Sequence, residues 1–457
     1  MSGASFDVLV LGGGSGGYAC AIRAAELGAK VAIIEKDRVG GTCLHRGCIP
    51  TKALLHVAEV ADAVRGANDL GIDAALTGFD PERMHAFRDG IVKKKYAGLQ
   101  SLLSAHGITI IPGEGVLEKG PSVRVGDDVH HARHVVLATG GRTREIPGLD
   151  RGGRILTSDD AISLPYIPRR AIIVGGGVIG VEFASLWRSL GAEVTILEAL
   201  PRLLAGEDET VSARLERALT RRGIRVVLGA RTTDARQSDE DVELTLGDGS
   251  SVAADVALIA VGRVPMTDGI GLDEVGVTRA DGFVVVDEHL RTEAAGISAV
   301  GDIVRGPQLA HRGFQQGIFV AERLAGGSPV PVPDETVPRI TYSDPEVAAV
   351  GLTEAQAVAR FGAERVQSYE YNLAGNGKSA ILGTAGTVKV IRRTDGPVVG
   401  VHMVGARVGE LIGQAQLIIG WEAHPEDIAP FVQAHPTQSE ALGEAFLALA
   451  GRPLHAL

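Results

Sequence analysis

Two cysteines five positions apart, Cys43 and Cys48, lie in GGTCLHRGCIPTK at residues 40–52. Far along the chain, His435 and Glu440 lie in HPTQSE. A cysteine pair with this spacing could be a metal site, a structural staple or a redox device. A histidine followed by a carboxylate can move protons, with the carboxylate fixing its tautomer. Structural zinc takes four ligands, usually in paired clusters. Here the cysteines have only His45 beside them and no second cluster, so no metal is expected. The third cysteine, Cys20, sits in the helix pattern YACAIRAAE and reads as a small buried hydrophobe.

Five residues on an ideal helix turn two side chains about 140° apart, whereas a disulfide needs Cβ atoms within roughly 4.5 Å. Joining Cys43 to Cys48 therefore needs a broken helix, and Gly47 would permit the break. Pro50 marks a helix start just after Cys48, and a thiol at a helix N-terminus has a lowered pKa. These features favour a redox pair. The opening stretch MSGASFDVLVLGGG has no basic leader and no cleavage site, so a reducing cytoplasm is expected. In that compartment a structural disulfide is out of place.

The elements that must position this chemistry come as an internal repeat. FDVLVLGGGSGGYACAIRAAELGAKVAIIEK from Phe6 and RAIIVGGGVIGVEFASLWRSLGAEVTILEA from Arg170 each read as strand, Gly-rich turn, helix and strand. Gly12, Gly14 and Gly17 form G-x-G-x-x-G in the first copy, as do Gly175, Gly177 and Gly180 in the second. Each copy ends in a carboxylate 23 positions after its first glycine, Glu35 and Glu198. This is the dinucleotide fingerprint twice over, with the carboxylates placed to accept ribose hydroxyls. Hydride passes readily from a nicotinamide to a flavin, and a flavin exchanges electrons with a thiolate. Two nucleotide sites beside a cysteine pair thus predict FAD at one site and a nicotinamide nucleotide at the other.

The totals narrow the partners. With 56 acidic against 45 basic residues the net charge is −11, which argues against nucleic acid and anionic membranes. No apolar run is long enough to span a bilayer. Pro147-Gly148 and DRGGR mark a boundary near residue 150. GGSPVPVPDETVP reads as a linker, and the alternating strands and helices beyond it read as an α+β section.

Taken together, LGGGSGGY, GGTCLHRGCIPTK, ATGGR, VGGGVIGVE, AVGRVP, AVGD, QLAH and HPTQSE resemble the flavoprotein disulfide reductases along essentially the whole chain. Within that family they are most similar to the branch that oxidises dihydrolipoamide. The resemblance implies an α/β fold with two Rossmann-like dinucleotide-binding domains, for FAD and NAD, plus an α+β C-terminal dimerisation domain. The implied divisions are 1–149 for FAD and the redox disulfide, 150–268 for NAD, 269–338 completing the FAD site, and 339–457 for the interface.

Site residues carry over in the same way. FAD is expected on Gly12, Gly14, Gly17, Glu35, Gly41 and Thr42, and on the backbone at Gly115, Thr139, Gly140, Gly141 and Arg142. Asp302 would bind the ribityl chain, and Gln308, Leu309, Ala310 and His311 would line the flavin ring. Lys52 and Glu182 would pair near flavin N5. NAD is expected on Gly175, Gly177, Gly180, Glu182, Glu198 and Gly262. Cys43 is implied as the outer thiol that meets substrate and Cys48 as the inner thiol beside the flavin. His435 and Glu440 would complete the site of a second subunit in a homodimer, with Thr437 or Ser439 capping the helix that follows. The implied partner is a lipoyl-bearing acyltransferase or carrier protein of a 2-oxoacid dehydrogenase or glycine cleavage complex.

Glu198 argues for NAD over NADP, because a carboxylate repels a 2′-phosphate. The tail AGRPLHAL has no cysteine, unlike reductases that need a further redox pair there. His45-Arg46 stands where Asn-Val is commoner, and two basic groups there could stabilise thiolates or steer an acidic partner. AHRGFQQG likewise replaces a more usual AHKAxxEG. The alternatives are NAD(P)H-dependent reduction of another small disulfide, such as a glutathione-like one, and a catalytically idle redox scaffold.

Overall fold

The computed structural model describes residues 5–455, so the leader reading falls partly outside the described residues, at positions 1–4. The chain divides into two compact units. Met1–Leu54, Glu82–Arg144 and Arg263–Asp334 form the first; Leu55–Pro81, Glu145–Gly262 and Glu335–Leu457 form the second. Among the described residues, no helix is long and apolar enough to cross a membrane.

In the first unit, β1 (Ser5–Leu11) is the apolar run FDVLVL expected of a strand buried on both faces. It pairs in parallel with β2 (Val31–Glu35) and with the strand Asp128–Leu137. Helix α1 (Ser15–Glu26) makes the crossover between β1 and β2. The sheet has seven strands; its far side turns antiparallel through Ser122–Val125 and Gly115–Glu118. A Cβ at Gly115 would lie 2.6 Å from Leu11 Cδ1 and 2.8 Å from Val123 Cγ1. A side chain there would have to push these core methyls aside.

The helix Ala310–Leu324 lies on α1 through small residues. A Cβ at Gly317 would fall 2.3 Å from the Gly16 carbonyl oxygen and 2.8 Å from the Cys20 nitrogen. The two glycines of AHRGFQQG are thus where the helices meet. Cys20 is fully buried at this crossing, and burial pushes its thiol up to about 12. It acts as the packing residue its sequence context suggested.

The second unit repeats the nucleotide-binding plan. Its parallel sheet runs Arg225–Leu228, Glu193–Glu198, Arg170–Val174, Val256–Ile259, Ile155–Leu156. A three-stranded antiparallel sheet at residues 232–254 interrupts it. Residues 339–405 form a five-stranded antiparallel sheet. The helices Ile412–Gly420 and Ser439–Leu449 share one core with that sheet, built on Val390, Val401, Met403, Ala415, Ala445 and Phe446. The α/β fold with a C-terminal α+β section is as expected.

One buried ion cluster joins these parts of the second unit. Lys389 Nζ lies 2.8 Å from Asp208 and 2.7 Å from Glu354, with Asp208 almost inaccessible. Burial works against the charge on Lys389, but these two bonds outweigh it and raise its pKa. Burial likewise opposes the Asp208 charge, and Lys389 and the Glu354 N–H overcome it to lower the pKa. The stabilisation from Asp208 is therefore present at neutral pH and is lost as pH falls through the depressed folded pKa. Lys389→Met strands a buried carboxylate and should cost about 3 kcal/mol at pH 7. The cost should shrink below the ordinary carboxylate range, where Asp208 can take a proton. Urea unfolding followed by tryptophan fluorescence checks this, since Trp187 and Trp421, the two tryptophans, both lie in this unit.

Candidate active site

The two glycine turns match each other closely in geometry. Gly12 has φ 104° and Gly175 φ 108°. A Cβ at either would lie 2.4 Å from a carbonyl oxygen, that of Ala138 or Ala260. A Cβ at Gly17 would lie 1.9 Å from the Gly12 oxygen, and one at Gly180 would lie 1.9 Å from the Gly175 oxygen. No side chain fits, so both helices start close against the ends of their first strands. Neither α1 nor the helix Val178–Ser189 has a side-chain cap or an acidic residue in its first turn. Their leading N–H groups remain available for an anion.

The two carboxylates hold their turns in matching fashion. Glu35 accepts the N–H of Gly13 at 2.7 Å and of Asp37 at 2.8 Å. Glu198 accepts the N–H of Gly176 at 2.6 Å and of Leu200 at 2.7 Å. Each carboxylate oxygen keeps a further acceptor site at the edge of the turn. A cradle closed to side chains, an uncapped helix and an oriented carboxylate fit a dinucleotide at both places.

The redox loop crosses the first cradle. Helix α2 (Gly41–His45) ends at Arg46 (φ −138°, ψ 0°), and α3 (Cys48–Gly66) begins two residues later. Across this break Cys43 and Cys48 form a disulfide, with Cα atoms 4.7 Å apart. Gly47 contributes room rather than a left-handed φ, since a Cβ there would come within 3.1 Å of the Thr42 carbonyl oxygen. The positive φ values belong to Gly40 (107°) and Gly41 (60°). A Cβ on Gly41 would lie 2.7 Å from the Gly14 Cα, so this glycine lets the redox loop lie on the phosphate turn. Cys48 is the first residue of α3, whose opening turn carries no acidic side chain. Lys52 follows on the same helix, partly buried.

Other expected FAD contacts converge in the same unit. A Cβ at Gly141 would lie 3.3 Å from Gln308 Nε2 and 3.4 Å from Asp302 Oδ2. Burial pushes the Asp302 carboxyl up, against the pull of Arg263 and Arg312. Thr139 donates its hydroxyl to the Met266 carbonyl at 2.6 Å. Gly140 has φ 76°, and Arg142 is exposed on the short strand that Gly141 begins. Leu309 stands before the helix Ala310–Leu324, with Ala310 and an exposed His311 in its first turn. In isolation Arg263 reads as a solvated surface charge. It is partly buried and donates to the Gly141 carbonyl.

In the second unit, Gly177 precedes the helix that carries Glu182. Glu182 is buried and accepts the Tyr342 N–H at 3.0 Å. Gly262, with φ 103°, follows the strand Val256–Ile259.

His435 Nδ1 lies 2.8 Å from Glu440 Oε1, and Glu440 Oε2 accepts the Thr437 N–H at 2.7 Å. Burial raises the Glu440 pKa; the Thr437 N–H and His435 outweigh it, leaving a net lowering. The ring itself is largely exposed. The helix cap differs from expectation. Ser439 is the first helical residue, and the Thr437 hydroxyl donates backwards to the Ala434 carbonyl, so neither caps. Glu440 has taken the acceptor role instead. Three positioning residues were also missed. Asn376 donates to the Thr437 carbonyl, Ser379 donates to Gln438, and Gln438 donates to the Ala406 carbonyl. No local spacing signals them.

The His45-Arg46 pair reaches back along the chain. His45 is buried against the Val39 carbonyl, and Arg46 pairs with Asp37 at 3.2 Å. Both contacts lie along the segment after Glu35.

Residues 6–317 match the family model for pyridine nucleotide-disulphide oxidoreductases, and residues 337–446 match the dimerisation domain of that family. The chain is 38% identical to a dihydrolipoyl dehydrogenase of Bacillus subtilis, with 98% of this chain and 99% of that protein covered. It is also 38% identical to dihydrolipoyl dehydrogenase 3 of Pseudomonas aeruginosa, with the same coverage. Among solved structures, LpdA from Mycobacterium tuberculosis matches with a TM-score of 0.90 at 28% identity, covering 97% of this chain and 99% of that one. RclA, an HOCl-induced flavoprotein disulfide reductase from Escherichia coli, matches with a TM-score of 0.88 at 27% identity over the same shares. The family model spans more than half of the chain and the relatives match it nearly end to end, so the chain belongs to the pyridine nucleotide-disulphide oxidoreductases.

Proposed function

We propose that the chain is a dihydrolipoyl dehydrogenase, oxidising protein-bound dihydrolipoamide with NAD+ and using FAD at the first cradle. The observation that carries this reading is the Cys43–Cys48 disulfide at a helix junction, in a loop that Gly41 seats on the first glycine turn. The near full-length similarity to dihydrolipoyl dehydrogenases supports the substrate. FAD, when bound, carries two electrons between the cysteine pair and the nicotinamide.

The chain's own residues supply the thiol chemistry. His435 takes a proton from a substrate thiol, and the resulting thiolate attacks Cys43. The Cys43–Cys48 bond breaks, a mixed disulfide forms on Cys43, and Cys48 leaves as a thiolate at the N-terminus of α3. The helix N–H groups and dipole favour that charge. The second substrate thiol then displaces Cys43, giving lipoamide and a reduced pair. Glu440 holds the His435 ring through Nδ1, so that Nε2 faces the proton to be moved. At the second cradle Glu198 is placed for the NAD ribose.

The family dimerisation domain favours a homodimer, with His435 and Glu440 of each copy serving the Cys43–Cys48 pair of the other. We assign the cofactor and catalytic roles to the residues named from the resemblance, with divisions 1–149, 150–268, 269–338 and 339–457. The partner is a lipoyl-bearing acyltransferase or carrier protein. A cycling dithiol suits a reducing compartment, the cytoplasm.

A steady-state comparison of dihydrolipoamide with reduced glutathione, each with NAD+ and NADP+, tests the assignment. Dihydrolipoamide with NAD+ should be fastest, and a preference for glutathione or NADP+ would overturn it. Cys48→Ser should abolish turnover while Cys43 still reacts with a thiol reagent; residual turnover near wild type removes Cys48 from the mechanism. His435→Gln should slow oxidation of dihydrolipoamide by roughly 10²–10⁴-fold. The reverse transfer from NADH to an artificial acceptor, which needs no thiol, should stay near normal, and stopped-flow measurement of the two half-reactions separates them.

A further inference from the structure

We infer that His45 is a positioning residue for the redox pair, tying the segment between the cysteines to the loop after the ribose carboxylate. Its Nε2 lies 2.9 Å from the Val39 carbonyl oxygen. A carbonyl only accepts, so Nε2 carries the proton and donates it. The ring is buried and meets Tyr96 edge-on, with centroids 5.0 Å apart at 75°. Val39 is itself fastened to the first cradle. The next residue, Gly40, donates its N–H to the Gly13 carbonyl at 2.8 Å, and Gly13 donates its own N–H to Glu35.

A continuous run of bonds therefore links the ribose carboxylate, the phosphate turn, Val39-Gly40 and the residue between the two sulfurs. Arg46 adds its contact to Asp37, but both of those side chains are substantially exposed. An exposed ion pair is screened and contributes little. The buried His45 bond is the stronger tie, because breaking it leaves the Val39 carbonyl without its buried partner.

The consequence falls on the disulfide. Cys43 and Cys48 have their Cα atoms 4.7 Å apart, near the short end of the roughly 4.4–6.8 Å that a disulfide allows. Releasing His45 gives the segment freedom that the dithiol can use and the disulfide cannot. The untied pair should thus be easier to reduce. Dithiothreitol supplies two electrons and two protons in this reaction, becoming a cyclic disulfide while Cys43–Cys48 opens to two thiols. This inference rests on the reading that the pair cycles.

The test is the dithiothreitol equilibrium constant of the purified full-length holoprotein, read by alkylation and mass spectrometry without lipoamide or nicotinamide. His45→Asn has a side chain too short to place a donor where Nε2 sits and should shift the constant toward the dithiol by about tenfold, the worth of one buried hydrogen bond. His45→Gln places its amide nitrogen near that point and should stay within about twofold of wild type. An unchanged constant in His45→Asn, or an equal shift in both variants, overturns the proposal. Should His45→Asn not be recovered folded, Tyr96→Leu loosens the ring and should shift the constant in the same direction; no shift there also overturns it. A wild-type pair that dithiothreitol cannot open would instead sink the cycling reading itself.

Discussion

The arrangement depends on how close a helix can come to the end of a strand. At Gly17 and Gly180 a side chain would overlap a carbonyl oxygen outright. Only without it can the helix start at the sheet edge and aim its free N–H groups at one point. That point is then electropositive and shaped for phosphate before any ligand arrives. In the first unit the cysteine loop lies across the same turn, because Gly41 brings its backbone onto Gly14 where a Cβ on Gly41 would collide. A redox pair on a flexible surface loop would lack a fixed relation to the cradle; here backbone contact imposes one.

Much of this was legible because it is local. Each dinucleotide unit spans a few tens of residues, and its strand, turn, helix and carboxylate follow in order. The disulfide and the His435–Glu440 pair also lie within five residues and could be read from spacing. The break between α2 and α3 was legible too, but its cause was not. Gly47 was expected to supply unusual torsion, whereas it supplies clearance for the Thr42 carbonyl.

What escaped the sequence is held by distant partners. Arg263 finds the Gly141 carbonyl across 122 positions, and Ser379 meets Gln438 across 59. Neither partner can be inferred from neighbours, and both residue types are common on surfaces. The cap of the last helix was misread for a related reason. Thr437 and Ser439 are ordinary capping residues, but Glu440 reaches the Thr437 N–H first and leaves the Thr437 hydroxyl to turn back toward Ala434. The contacts of His45-Arg46 were equally hidden, since His45 is buried against the Val39 carbonyl and Arg46 reaches Asp37.

A single device recurs at the chemically active places. Glu35, Glu198 and Glu440 each accept a backbone N–H from the loop they serve. Such a bond fixes the side chain without consuming the carboxylate's charge or all its acceptor sites. The loop is stiffened by the group that must later act, so the entropy of ordering that group is largely met during folding. For Glu440 the effect is twofold: one oxygen holds the loop while the other orients His435, and the same bonds keep the carboxylate ionised to well below neutral pH. The base is therefore oriented by a group whose charge does not change in the range where histidine titrates.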